Sequence, residues 1–301
     1  MKRVELPWAL LRQAVLAWVD DDAASKGAAL AYYTLFSLAP LLLIVISVAG
    51  LVFGADAARG EIFGQLQGLL GSAGAAAVQQ LLESVQQPAA GWWGTALGLL
   101  LMLLGATSVF AELQNTLDRI WRAPARPAGG FWLLLRARVL SFGMVLGLGF
   151  LLMVSLLLSA AVSAAQRWWS PALAHWDGWI TLLNLGSTFA LVTLMFAMIY
   201  KVMPRVRIDW SDVWVGAIFT ACLFTVGRLG LGLYLGLGSV SLAFGAAGSL
   251  VVVLVWVYYS AQIFLLGAEF TWVYAHALGS RRAVAAAPAP APRPTPAGGT
   301  G

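Results

Sequence analysis

Apolar residues in this chain come in long unbroken runs. Six of them, at 28–53, 92–117, 139–162, 178–202, 213–235 and 247–275, exceed the roughly 20 helical residues needed to cross a hydrocarbon core of about 30 Å. They lack the strict in-out alternation of a barrel wall and are far longer than the roughly 10-residue segments of one, so the pattern predicts helices. The fold class is therefore all-α: a polytopic membrane protein with about six transmembrane helices.

Between the runs the periodicity changes. Over residues 6–19, Trp8, Leu11, Val15 and Trp18 share one helical face while Arg12 and Gln13 lie elsewhere, the signature of an interfacial helix within an N-terminal segment 1–27. Asp20, Asp21 and Asp22 end it, and with Ser25 as N-cap they predict an elbow into the first span. In the external segment 54–91, Ile62, Phe63, Leu66, Leu69 and Leu70, then Val78, Leu81, Leu82 and Val85, recur at helical spacing and predict two short amphipathic helices. Two placements stay open for them, as a cap on the bundle or flat on the outer leaflet. The tail 279–301 is rich in Ala and Pro and is expected to be disordered.

Composition agrees with the pattern. Hydrophobic residues make up 60% of the 301 and charged residues 10%, against about 25% charged in an ordinary soluble domain, so lipid takes the place of water. Charge placement then sets the topology. Of the 18 Lys and Arg residues, 15 flank one side of the spans, two (Arg59 and Arg167) the other, and Arg228 falls inside a span. The positive-inside rule makes the first side cytoplasmic and puts both ends of the chain there. Trp92, Trp93, Trp168, Trp169, Trp176 and Trp179 at one set of span ends, and Trp121, Trp132, Trp210 and Trp214 at the other, suit headgroup belts. The first run and its leader are too long for a signal peptide, so it is expected to be retained.

Catalytic chemistry finds little material. His175 and His276 are the only histidines and fall on opposite sides of the membrane, Cys222 is the only cysteine, and phosphate-loop, nucleophile-elbow and zinc-helix motifs are absent. The expectation is no enzyme, no metal and no cofactor. Charges inside spans are the better lead, because they are costly in lipid and turn toward a bundle interior or a wet cavity.

Arg228 lies past the midplane, level with Asn184 and Ser187 on the fourth span and Tyr258 and Tyr259 on the sixth, which predicts a polar pocket; the alternative is that Arg228 snorkels to the headgroups. Glu112 and Glu269 lie near the cytoplasmic boundary and with Asn115 predict an inner polar cluster that meets Arg119 or Lys201. Pro40 frees a carbonyl within the first span and predicts a kink beside Tyr32 and Tyr33, unless Ser37 or Ser47 satisfies the backbone. Four-residue glycine spacings at Gly50/Gly54, Gly94/Gly98, Gly143/Gly147 and Gly232/Gly236 predict close helix packing.

Several segments also resemble a known family. Ala31-Tyr32-Tyr33-Thr34-Leu35-Phe36-Ser37-Leu38-Ala39-Pro40, Leu113-Gln114-Asn115-Thr116-Leu117, Val215-Gly216-Ala217 and the stretch from Gly248-Ser249-Leu250 through Trp256-Val257-Tyr258-Tyr259-Ser260 to Leu266-Gly267-Ala268-Glu269 are similar to the YihY / virulence factor BrkB family over roughly residues 15–277. One departure is Ala247, where that family usually has a Tyr. The resemblance implies a bacterial inner-membrane protein, involved in some relatives in moving envelope lipids or lipopolysaccharide precursors. It also brings an old ribonuclease BN label, which the residue inventory contradicts. Three functions follow, in order: a transporter or flippase-like handler of an anionic envelope lipid, a scaffold docking envelope proteins, and a ribonuclease. The partners expected are membrane lipids, an anionic lipid headgroup and envelope proteins, without nucleic acid.

Overall fold

A computed structural model describes residues 5–85, 108–124, 177–236 and 248–282, and among these residues every regular element is a helix. The elements are α1 (Glu5–Asp20), α2 (Ala23–Phe53), α3 (Ala55–Val85), α4 (helical over 108–120), α5 (Asp177–Val202), α6 (Trp210–Gly236) and α7 (Gly248–Ala277). Three of them, α5, α6 and α7, are long and apolar enough to cross a membrane, counted among the described residues. The span at 139–162, residues 92–107 of the second, His175, the glycine pairs at 94/98 and 143/147, and the tail from 283 onward lie outside the described residues.

α7 is the axis of the fold, with α1, α2, α3 and α6 all packed on it. Its side chains show why: Ile263, Phe264, Leu265 and Val273, which point in different directions around the helix, are all buried, so it is enclosed on several faces, as a helix without a polar face must be. The main core gathers Leu117, Ile120 and Trp121 beside α4, Ala197 and Tyr200 of α5, Val213 and Ala217 of α6, and Leu265 and Ala268 of α7.

The elbow forms where the three aspartates stand. α1 ends at Asp20, and Asp22 takes the left-handed conformation (φ 56°), which an aspartate tolerates better than most residues. The cap differs from expectation: α2 already begins at Ala23, so Ser25 lies inside the helix and its hydroxyl donates to the Asp22 carboxylate at 3.0 Å. α1 buries Leu10 and Ala14 against Val273 of α7 and leaves Trp8, Val15, Leu16 and Val19 exposed. Trp18, predicted to share one interfacial face with Trp8, Leu11 and Val15, packs instead against the main core.

A second correction concerns 54–91. One continuous helix, Ala55–Val85, replaces the two short ones. The Gly71–Ala77 stretch that separates the two patterns is mostly alanine, the best helix former, and Ala75 and Ala77 are buried. Gly54, at φ 86°, makes the turn that folds α3 back, and Ala77 and Val78 then share a core with Leu35, Leu38 and Leu42 of α2, Leu231 of α6 and Val252 of α7. α3 therefore packs on the bundle.

α2 runs unbroken through Pro40. The Ser37 hydroxyl donates to the Thr34 carbonyl at 3.2 Å, not to the Phe36 carbonyl that Pro40 leaves without its helical donor.

Candidate functional site

Two antiparallel helices, α6 and α7, approach closely enough for their glycines to be filled from the facing helix. Gly216-Ala217-Ile218-Phe219-Thr220 on α6 and Gly267-Ala268-Glu269-Phe270-Thr271 on α7 are near-identical pentapeptides. They interlock about a local two-fold. Thr271 sits over Gly216 and Thr220 over Gly267, each so close that a Cβ on the glycine would collide with it. The hydroxyls turn back on their own helices, Thr220 to the Gly216 carbonyl (2.7 Å) and Thr271 to the Gly267 carbonyl (2.6 Å), so both are satisfied. Phe219 and Phe270 stack at 4.0 Å between ring centres. Tyr200, fully buried, ties α5 into the seam by donating to the Phe264 carbonyl (2.7 Å), with Thr220 Oγ1 at 3.0 Å.

These are not the glycines that spacing alone picks out. Gly232 and Gly54 face open space, while Gly27, Gly216, Gly227, Gly267 and Gly279 carry close approaches: Gln262 fills the notch at Gly27, Tyr259 with Ile263 presses on Gly227, and Asp212 lies against Gly279. The available signal was the repeated Gly-Ala-x-Phe-Thr, a glycine paired with a threonine four residues on.

The loop end of the bundle is held by ion pairs. Asp118, at the end of α4, accepts from the Arg205 backbone N–H (2.9 Å) and Nε (2.7 Å), which fixes the α5–α6 connection. Asp212, in the first turn of α6, accepts from the Ser280 hydroxyl (2.6 Å) and N–H (3.2 Å), pinning the chain beyond α7. Lys26 pairs with Glu112 at 3.1 Å and Arg119 with Asp21 at 3.4 Å.

The predicted inner cluster is thus divided. Glu112 has Lys26 as its partner, Asn115 is exposed, and Glu269 is buried beside Asp20, Asp21 and Arg122. Lys201 donates to the Ile208 carbonyl and lies over the Trp210 ring, so it meets neither glutamate.

At the other end of the α5–α6 pair a groove opens, with a cavity of about 290 Å³ lined by Leu185, Gly186, Thr188, Phe189, Val192, Phe224, Thr225 and Arg228. Its walls are apolar, and Arg228 is the one charged group among these lining residues, with the threonine hydroxyls as its polar company. Among the predicted residues whose side chains are described, only Arg228 lines the groove; the Asn184 side chain lies outside the described residues. Thr188 and Thr225 stand where Ser187 was expected, because neighbouring helical positions point about 100° apart. Asn184 lies on α5, one turn before Thr188. Tyr259 packs at Gly227 and Tyr258 is exposed; on α2, Tyr32 is exposed with its ring edge-on to Phe36 (4.9 Å) and Tyr33 (5.7 Å). Among the described residues no group of three or more His, Cys, Asp or Glu is placed to hold a metal ion.

Fold and site together define an all-helical membrane protein in which, among the described residues, ion pairs gather at the loop end and Arg228 lines the groove. The chain belongs to the Virulence factor BrkB family, whose profile matches residues 14–292. It is 30% identical over 261 residues to a UPF0761 membrane protein of Alkalilimnicola ehrlichii, covering 83% of this chain and 55% of the relative. It is 30% identical over 184 residues to a namesake in Tolumonas auensis (59% of this chain, 56% of the relative) and 29% over 260 residues to one in Pseudomonas aeruginosa (83% and 59%). The chain thus spans a little over half the length of these curated relatives. No solved structure matches it.

Proposed function

We propose that this protein handles an anionic envelope lipid in the bacterial inner membrane, as a transporter or flippase-like carrier and not as an enzyme, with both ends of the chain on the cytoplasmic side. The observation that carries the reading is the groove between α5 and α6, in which apolar walls suited to acyl chains surround the guanidinium of Arg228. Among the described residues Arg228 has no hydrogen bond or ion pair, so its five donors are available to a phosphate or carboxylate. The location is supported by the basic residues Lys26, Arg119, Lys201, Arg205 and Arg281, which gather at the opposite, loop end.

The test compares wild type with Arg228→Ala and Arg228→Lys in proteoliposomes carrying a fluorescent anionic lipid in one leaflet. Translocation is expected to fall about tenfold or more in the alanine variant, since a charge-assisted bond contributes about 1.5–3 kcal/mol, with partial activity in the lysine variant. Equal, undiminished movement by all three removes Arg228 from the function. A wild type that moves no lipid yet crosslinks to an envelope protein supports the scaffold instead.

A further inference from the structure

Glu269 and Asp212 are the most deeply buried charged side chains among the described residues, each 1% exposed. Their surroundings differ. Asp212 is served by Ser280, whereas Glu269 Oε1 has no hydrogen-bond partner at all. A buried carboxylate oxygen without a donor carries its full desolvation cost, so its place here calls for a reason.

Packing does not supply one. Within the interlocking pentapeptides only the glycine, phenylalanine and threonine positions make the seam, and the position equivalent to Glu269 in the twin is Ile218. That twin position holds an aliphatic residue that is 46% exposed, so the seam itself does not call for a charge there.

The charged groups facing Glu269 are Asp20 and Asp21, at the end of α1, and Arg122, which follows α4. Asp21 pairs with Arg119 and is also within side-chain hydrogen-bond reach of Glu269, a contact two carboxyl groups make only with a proton between them, and the Arg122 guanidinium lies over the Trp272 ring at 4.9 Å. On α7 itself His276 is occupied, its Nδ1 at 2.8 Å from the Trp272 carbonyl. Three carboxylates thus meet two guanidinium groups, one unit of positive charge short. The same core region holds further polar atoms without partners, the indole N–H groups of Trp18 and Trp121, and Thr116 Oγ1 on α4 is likewise unpartnered. Waters around a bound ion would supply those partners.

We infer that Glu269 is the seat of a single monovalent cation, a proton or an alkali ion, held between α7 and the α1–α2 elbow. Occupation supplies the missing unit of charge and relieves the repulsion between Glu269 and Asp20 and Asp21, drawing the elbow toward α7. The site is separate from the Arg228 groove and stands or falls without it.

The experiment uses the full chain in nanodiscs of zwitterionic lipid, so that no anionic headgroup enters. Thermal unfolding is followed across pH at constant choline chloride, then at constant pH with sodium or potassium replacing choline. The expected result is a shift in unfolding temperature with alkali ion, or with pH alone if the cation is a proton, that Glu269→Gln loses and Glu112→Gln keeps. A Glu269→Gln response parallel to wild type overturns the proposal. Should that variant not fold, a hydrophobic carbodiimide applied to wild type decides: labelling of Glu269 that alkali ion or rising pH suppresses supports the site, and a Glu269 unlabelled in choline at every pH, or labelled regardless of ion and pH, refutes it.

Discussion

The two ends of the α5–α6 pair solve opposite problems with similar residues. At the loop end, Arg205 is locked to Asp118 at 2.6 Å and the connection cannot swing. At the far end, Arg228 lines an open groove with no carboxylate among the lining residues. Buried charge usually demands a partner, so the first arrangement is what stability selects. The second leaves a cation to be satisfied by something outside the described helices. The pair is therefore clamped at one end and available at the other.

That contrast can be broken most severely at its fixed end. Gly267→Val drives a side chain into Thr220 and the Tyr200 hydroxyl, and overpacking of this kind costs about 1–3 kcal/mol. The expected readout is a large drop in detergent-solubilised unfolding temperature, partly restored by adding Thr220→Ala, whereas Gly232→Val, facing open space, should leave it nearly unchanged. Asp118→Ala comes next. It removes the acceptor for both Arg205 donors, and a loss of about 1–2 kcal/mol is expected, accompanied by faster proteolysis in the 203–209 connection. Arg228→Ala sharpens the comparison from the other side, with stability within about 0.5 kcal/mol of wild type but weaker retention of anionic lipid on purification, measured by mass spectrometry. The smallest effect is expected for Arg119→Ala, because Arg119 is 52% exposed and its pair with Asp21 contributes about 0–1 kcal/mol in the same unfolding measurement.

Sequence patterning made the helices visible because lipid-facing and core-facing positions are both apolar, and run length alone announces them. α5, α6 and α7 fall within a few residues of the predicted limits. The same uniformity hid which face of each helix points where. Ser187 and Thr188 are indistinguishable to hydropathy, and only packing put Thr188 toward Arg228. Arg228 and Glu269 were legible as expensive residues, yet their neighbours were not, since Asp21 comes from an elbow and Arg122 from beyond a different helix. The break expected within α3 followed from a change in side-chain size, which the backbone of an alanine-rich helix ignores. At Gly54 and Gly232 glycine spacing misled for a related reason: each glycine of the seam is matched by a threonine on the facing helix, so the informative repeat mixes two residue types.

The interlocked pentapeptides also restrict how the molecule can move. Two antiparallel rods notched into each other at matched heights cannot slide lengthwise without unseating both knobs together, so α6 and α7 travel as one strut. With α5 fastened to that strut near the loops, any change of spacing between α5 and α6 is confined to the end where the groove lies.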